Sequence, residues 1–274
     1  MRQKRNNRKG PATAGAPRVR ARIPAIPGRT VSHGLARVLS KLGLCSRTEA
    51  AGWIAAGRVA VEGRVVREAE FPVVRGKQRI AVDGIDVTEV ERMHLMLNKP
   101  RGLVTSARDE CDRDTVYRCF DGAGLPWIAP VGRLDKASEG LLLFSNDPEW
   151  AARITDPDTG PSKTYHVQVD GIPEPSLLAR LLTGTIIDGE TLRVRSVELL
   201  RQGEKNAWLE IVLDEGRNRQ IRRLLAALDL GVLRLIRVSI GQLTLGELPK
   251  GQWRKLSPDE IVALSPTRPM REPG

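Results

Sequence analysis

Gly132-Arg133-Leu134-Asp135 runs into Lys-Ala-Ser-Glu-Gly-Leu-Leu-Leu-Phe-Ser-Asn-Asp over 136–147. An aspartate stands in a turn beside an arginine, and the apolar run from Leu141 to Phe144 reads as a buried strand. A carboxylate held at the lip of a sheet is well placed for chemistry on a bound ligand. On spacing alone, the commoner fate of such a residue prevails: a turn Asp hydrogen-bonded to its own backbone.

Beyond this segment, Lys163-Thr-Tyr-His-Val-Gln-Val169 alternates like a half-buried strand. Tyr165 there reads as a core-facing aromatic, and His166 as a satisfied strand histidine rather than a companion of Asp135. Pro175 to Thr183 reads as a helix with proline at its start. Residues 192–200 and 207–213 read as strands, 218–228 as a helix, and 232–238 and 253–256 as strands. Ser257-Pro-Asp-Glu260 is a capping box that opens a last short helix through Leu264. Upstream, His94-Leu-Met-Leu97 begins an apolar run that Asn98-Lys-Pro-Arg-Gly102 stops. That turn is expected to lift Lys99 and Arg101 out of the sheet. Residues 105–127 read as loop. Strands and helices alternate irregularly, which predicts an α+β fold with a mixed or antiparallel sheet rather than βαβ winding.

Nearer the N-terminus, Leu35, Val38, Leu39 and Leu42 mark one helical face, and Gly43 punctuates its end. Ser46-Arg-Thr-Glu49 is a capping box for a second helix through Ala55 or Ala56, stopped by Gly57. Residues 58–66 read as a hairpin about Glu62-Gly63, and Arg79 to Val82 as a strand meeting the turn Asp83-Gly84. Two short helices and a small sheet thus form a compact module, with Arg37, Lys41 and Arg47 on its helical face. Residues 84–92 form a polar, charged link.

The chain has 274 residues and a net charge of +11. Residues 1–30 hold nine Arg/Lys and no acid, and residues 91–274 sum to zero. Such a tail attracts polyanions without reading sequence, through counterion release, and it is expected to be disordered. Cys45, Cys111 and Cys119 form no C-x-x-C pair, which argues against a disulfide frame or thiolate zinc site and for reduced cytosolic thiols. The three histidines are scattered, so no metal site is expected. No apolar window is long enough to span a bilayer, residues 1–30 lack a secretory h-region, and no nucleotide-binding glycine motif occurs.

Gly-Arg-Leu-Asp followed by Ser, Gly and Leu-Leu resembles the active-site motif of pseudouridine synthases, specifically the ribosomal small-subunit synthase A type, which includes large-subunit enzymes. The resemblance covers roughly 92–264 and makes Asp135 the catalytic residue. Tyr165, in Lys163-Thr-Tyr-His-Val, falls on the family's active-site tyrosine, whose ring offers a stacking face and whose hydroxyl a polar handle. Glu215-Gly-Arg-Asn-Arg-Gln-Ile-Arg-Arg-Leu-Leu225 matches a second signature. Its arginines can clamp phosphates and pair with a buried carboxylate. The resemblance makes Arg222 the ion-pair partner of Asp135 and sets Ile221 near the base. Arg217 and Arg219 are candidate RNA contacts, whereas Arg223 reads as solvent-facing. Arg133 is a candidate for holding a flipped nucleotide or filling the space it leaves. The N-terminal module resembles the S4 RNA-binding domain through 39–47 and 57–63, although Glu62 stands where that family often has Asn and Thr48 where a second Arg is frequent. With that likeness, Arg37, Lys41 and Arg47 become candidate phosphate contacts.

The expectation is therefore an isomerase acting on a specific uridine of ribosomal RNA, free or in an assembling subunit, without cofactor, metal or membrane, as a cytoplasmic monomer. Its parts are a disordered basic tail (1–32), an S4-like domain (33–91), a catalytic domain (92–265) and a flexible C-terminal tail (266–274). The rival readings are a non-catalytic RNA-binding or ribosome-assembly factor, and the same chemistry directed at tRNA or another structured RNA.

Overall fold

The computed structural model describes residues 32–106, 111 and 113–264. The expected basic tail (apart from Ser32) and the C-terminal tail lie outside them.

A first module is built from β1 (His33–Gly34), α1 (Leu35–Lys41), α2 (Arg47–Ala55), β2 (Val59–Val61), β3 (Arg64–Val65), β4 (Pro72–Val73), β5 (Ile80–Val82) and β6 (Ile85–Asp86). Local chemistry sets its corners. Ser46 Oγ accepts the Glu49 amide at 3.0 Å as the N-cap of α2. Glu62-Gly63 and Asp83-Gly84 both adopt paired left-handed φ angles, the conformation that matches a two-residue hairpin to strand twist. Leu35, Leu39, Ile54 and Val59, wholly buried, anchor the module's own core.

The second module begins with β7 (His94–Lys99) and a short 3-10 helix (Val116–Phe120), followed by β8 (Ala129–Val131), β9 (Glu139–Ser145) and α3 (Pro148–Thr155). It continues through β10 (Lys163–Val169), α4 (Pro175–Thr183), β11 (Thr185–Ile187), β12 (Glu190–Leu192), β13 (Ser196–Gln202) and β14 (Ala207–Leu213). Last come α5 (Gln220–Ala226), β15 (Val232–Ile240), β16 (Leu243–Thr244), β17 (Trp253–Lys255) and α6 (Pro258–Leu264). Nine strands form one sheet in the order β13-β14-β10-β15-β9-β7-β17, with β16 on β15 and β8 on β9. Its ladders are antiparallel except β9 with β15, which makes the sheet mixed and the fold α+β, as expected.

One face of the sheet packs under the 3-10 helix, α4 and α5, with Phe144, Val167, Ile211 and Leu224 among its buried residues. The other face packs under α3 and α6 through Met96, Leu143, Trp150 and Leu264. The run 141–144 is wholly buried because helices cover both of its faces. The parallel contact between β9 and β15 spans only two residue pairs, Ile236 with Glu139 and Arg237 with Gly140. Gly140 is obligatory there: its φ is +99°, and a Cβ would fall 2.3 Å from the Arg237 oxygen.

Several elements differ from the sequence reading: the 3-10 helix falls in a segment read as loop, and β8 and β16 were not anticipated. α3 was not anticipated, although Asp147 caps it and Pro148 opens it. The segment 185–200 holds a separate β11–β12 hairpin before β13 starts at Ser196. α5 starts at Gln220 because Arg219 adopts a left-handed φ of 48°.

The two modules are tied through the 84–92 link. Asn146, fully buried, accepts the Met93 amide at 2.8 Å and donates to the Glu91 carbonyl at 2.8 Å. Arg92 donates to the carbonyls of Asn146 at 3.1 Å and Lys41 at 2.9 Å.

Candidate active site

The loop between β8 and β9 carries Asp135, and its backbone is held from outside at every carbonyl from Leu134 to Ser138. Thr105 Oγ1 donates to the Leu134 oxygen at 2.7 Å. Lys99 Nζ donates to the oxygens of Asp135 at 3.3 Å and Ser138 at 2.9 Å. The Gly102 amide donates to Lys136 at 2.8 Å, and Arg222 Nη2 to Ala137 at 3.2 Å. A turn bonded so thoroughly has few alternative conformations, so the aspartate is aimed rather than free to wander.

Lys99 is wholly buried, against the expectation that the Pro-Arg-Gly turn lifts it out; Arg101 alone is exposed there. As the last residue of β7, Lys99 passes beneath the loop, where three carbonyl oxygens (Pro100 is the third, at 3.1 Å) receive its ammonium. Burial pushes its pKa down to about 8, against the opposing attraction of Asp135 and other nearby groups.

The loop forms one wall of a cleft of about 600 Å³. Arg133, Asp135, Tyr165, Arg217, Arg219, Ile221 and Arg222 all line it, so residues read from three distant segments meet in one place. Tyr165 is 8% exposed and pairs across strands with Ile211 and Arg237. Ile221, also buried, packs beside it in the same core. His166, on the opposite face of β10, bonds Glu210 at 3.1 Å and does not line the cleft.

The expected ion pair of Asp135 with Arg222 is not present. The guanidinium that approaches the carboxylate is that of Arg219, with Nη1 3.6 Å from Oδ2. Arg222 instead donates to the carbonyls of Val232 and Ala137, each at 3.2 Å. The left-handed turn at Arg219 brings that residue to the carboxylate, while Arg222, within α5, reaches backbone carbonyls of the loop and of β15. Nor is Asp135 deeply buried, since its side chain keeps 36% exposure. Burial and the neighbouring Arg219 hold the Arg222 pKa below its usual value.

Residues 93–227 match the RNA pseudouridylate synthase family model, and residues 34–88 match the S4 domain. The chain is 36% identical over 233 residues to ribosomal large subunit pseudouridine synthase B of Bacillus subtilis, covering 84% of this chain and 94% of that protein. It is 35% identical over 226 residues to an uncharacterized RNA pseudouridine synthase of Rickettsia conorii, covering 82% and 96% respectively. The chain belongs to the RNA pseudouridine synthase family. A crystal structure of a pseudouridylate synthase superimposes with a TM-score of 0.60 at 31% identity, over 85% of this synthase and all of that chain. Members of this family are isomerases, and the two modules are an S4 domain followed by a pseudouridine synthase domain.

Of the S4 cations, Arg37 is exposed and makes no ion pair among the described residues. Arg47 meets Glu70 at 3.0 Å on an exposed surface. Lys41 is bound to Glu149 of α3 at 2.7 Å, its side chain only 19% exposed. This joins the two modules of the synthase and engages the Lys41 ammonium within the protein. Arg223, expected to face solvent, instead ties α5 to the β11–β12 hairpin through Asp188 at 3.0 Å and Glu190 at 3.3 Å. Arg217 pairs with Glu215 at 3.0 Å and Arg133 is exposed, both on the cleft rim.

Sequence reasoning missed the supporting shell. Gln220 is 2% exposed, accepts the Arg217 amide at 3.2 Å and donates to the Arg193 carbonyl at 2.9 Å. It therefore fixes the turn that presents Arg217 and Arg219. A glutamine at the start of an apolar helix face is a weak signal, whereas Asn-Lys-Pro-Arg-Gly at a strand end was a usable one for Lys99. No helix among the described residues is long and apolar enough to cross a membrane, and no group of three or more His, Cys, Asp or Glu among them could hold a metal.

Proposed function

We propose that this synthase isomerises a specific uridine of ribosomal RNA, with Asp135 as the catalytic carboxylate. The reaction breaks N1–C1′, turns the uracil, joins C5 to C1′ and, in net terms, moves a proton from C5 to the freed N1, so that substrate and product are isomers. It needs an ionised carboxylate beside the sugar, and a pocket that keeps hold of the detached base. Asp135 supplies the first, with the Arg219 guanidinium 3.6 Å from its Oδ2. Tyr165 and Ile221 supply the second, the ring against the uracil face and the aliphatic side chain beside it. A uridine reaches a carboxylate in such a cleft only after leaving its stack. Arg133 and Arg217, on the rim, are placed to hold the flipped nucleotide through its phosphates, and Arg222 acts by ordering the loop that bears Asp135.

The observation that carries this reading is the convergence of Asp135, Tyr165 and Arg219 on one cleft beneath a fully tethered loop. Ribosomal RNA is supported by the S4 module, with Arg37 and Arg47 as its phosphate contacts, and by the names of the relatives, which favour the large subunit. The working domains are taken as 33–91 and 92–265. Ribosomal RNA as substrate implies the cytoplasm.

Pseudouridine mapping across rRNA tests this in a strain lacking the gene, complemented with the parental chain or with Asp135→Asn. One site should be lost, restored by the parental chain and left unmodified by the variant, whose RNA binding persists. An unchanged map, or restoration by the variant with deamidation excluded, would overturn the assignment.

A further inference from the structure

Two cations of the cleft, Arg237 and Lys163, stand near one another with no carboxylate bonded to either among the described residues. Arg237 lines the cleft from β15 and is 5% exposed. Its Nε donates to the Leu141 oxygen at 2.7 Å, bridging the gap where β9 and β15 part, while its buried Nη2 has no hydrogen-bond partner among the described residues. Lys163 lines the same cleft from β10, and its ammonium makes no hydrogen bond or ion pair among the described residues. The carboxylate that influences it, Asp214, is itself engaged by Arg195 at 3.0 Å. Burial and the charge of Arg237 both hold the Lys163 pKa below its ordinary value. Two like charges, one buried and one partly buried, repel one another. The arrangement costs stability unless an anion enters between them and the solvent.

Position limits which anion that is. Lys163 and Tyr165 are two residues apart on one strand, hence on the same face and about 6.6 Å apart along it. That spacing is comparable with the reach from a nucleotide's base to its own phosphate. We propose that Lys163, backed by the buried guanidinium of Arg237, forms a phosphate subsite that takes the RNA phosphate on the 5′ side of the target uridine. This rests on the cleft being the uridine site. It adds a polar anchor within the cleft, separate from the arginines of the rim, that fixes the nucleotide's sugar relative to Asp135.

Uridine and uridine 5′-monophosphate are the probes, with binding to the full chain measured by calorimetry. The parental protein should bind the monophosphate at least about tenfold more tightly than the nucleoside, as one charge-assisted contact provides. Lys163→Gln should reduce that preference to about twofold and leave uridine binding unchanged, while Lys163→Arg should retain most of it. Melting curves of both variants establish that they are folded. A monophosphate preference that survives Lys163→Gln overturns the subsite, as does the absence of any preference in the parental protein. Loss of the preference in Arg219→Gln but not in Lys163→Gln would place the phosphate at the start of α5 and overturn it equally. Failure of the functional reading would look different: the preference would behave as expected while no rRNA pseudouridine depended on the gene.

Discussion

Lys99 Nζ donates to the backbone oxygen of Asp135 at 3.3 Å, from a side chain with no exposed surface. The same ammonium reaches Ser138, so it spans the turn that begins with the catalytic candidate. Lys99 is thus a positioning residue, acting through the loop and not on the uridine. Lys99→Met should leave RNA affinity within about threefold, yet lower the single-turnover rate about 100-fold, the scale of a misplacement near 1 Å. Equal losses in affinity and rate would mean that the lysine meets RNA directly.

Lys99 also gives the protein a pH signature with two opposed parts. An unfolded lysine titrates near 10.4, whereas folded Lys99 titrates at about 8. Between those values the unfolded chain binds the more protons, so this group makes stability rise with pH. Below about pH 8 the cost of the buried charge is present in full; its relief above is worth about 3 kcal/mol. Activity should run the other way, because a neutral amine has fewer donors for three carbonyls. Rates between pH 7 and 9 should fall through about 8 in the parental enzyme and stay flat in Lys99→Met. The stability of the parental protein relative to that variant should climb over the same range.

Arg219 and Arg222 divide the work expected of one residue. Arg219 is half exposed at 3.6 Å from the Asp135 carboxylate, so Arg219→Ala should cost no more than about 1 kcal/mol of stability while slowing catalysis. Its left-handed backbone adds a control: Arg219→Gly should be more stable than Arg219→Ala by about 1 kcal/mol, with the same loss of rate. Arg222→Ala removes two charge-assisted bonds to carbonyls and should cost about 2 kcal/mol. Urea melts and single-turnover rates separate the three variants. A larger stability loss at Arg219 than at Arg222 would overturn this division of roles.

What could be read in advance was local. Ser46 and Ser257 as caps, Glu62-Gly63 and Asp83-Gly84 as turns, and the start and end of α4 and β14 each depend on a few neighbouring residues. The grouping of Asp135, Tyr165 and the 215–222 turn came from motif resemblance; no periodicity brings three remote segments together. What escaped was set by contacts across long sequence distances. Lys99 is buried because β7 pairs with β9 and slides it under a loop 36 residues away. Arg219, not Arg222, faces the carboxylate because one residue takes a left-handed φ, which shortens α5 at its start. The ion pair of Lys41 escaped because α3 was not foreseen, and Glu149 lies in its first turn.

The S4 surface offers the last test, since two of its cations should now behave differently. Each RNA phosphate neutralised by a free cation releases condensed counterions, so removing one contact lowers the slope of log affinity against log salt by about 1. Arg37 is exposed and unpaired among the described residues, so Arg37→Ala should weaken RNA binding and flatten the slope by that amount. Lys41 is neutralised by Glu149, so Lys41→Ala should leave the slope unchanged. Its effect should fall on the joint between modules, where the Lys41 carbonyl still receives Arg92. Turnover at subsaturating RNA should drop, through looser registration of the S4 module against the cleft, and the rate at saturation should hold. Binding isotherms over a salt series, with single-turnover rates at low and saturating RNA, resolve the two roles. A slope change with Lys41→Ala equal to that of Arg37→Ala would show that the lysine leaves Glu149 to meet RNA, and the joint would then be a switch opened by the substrate.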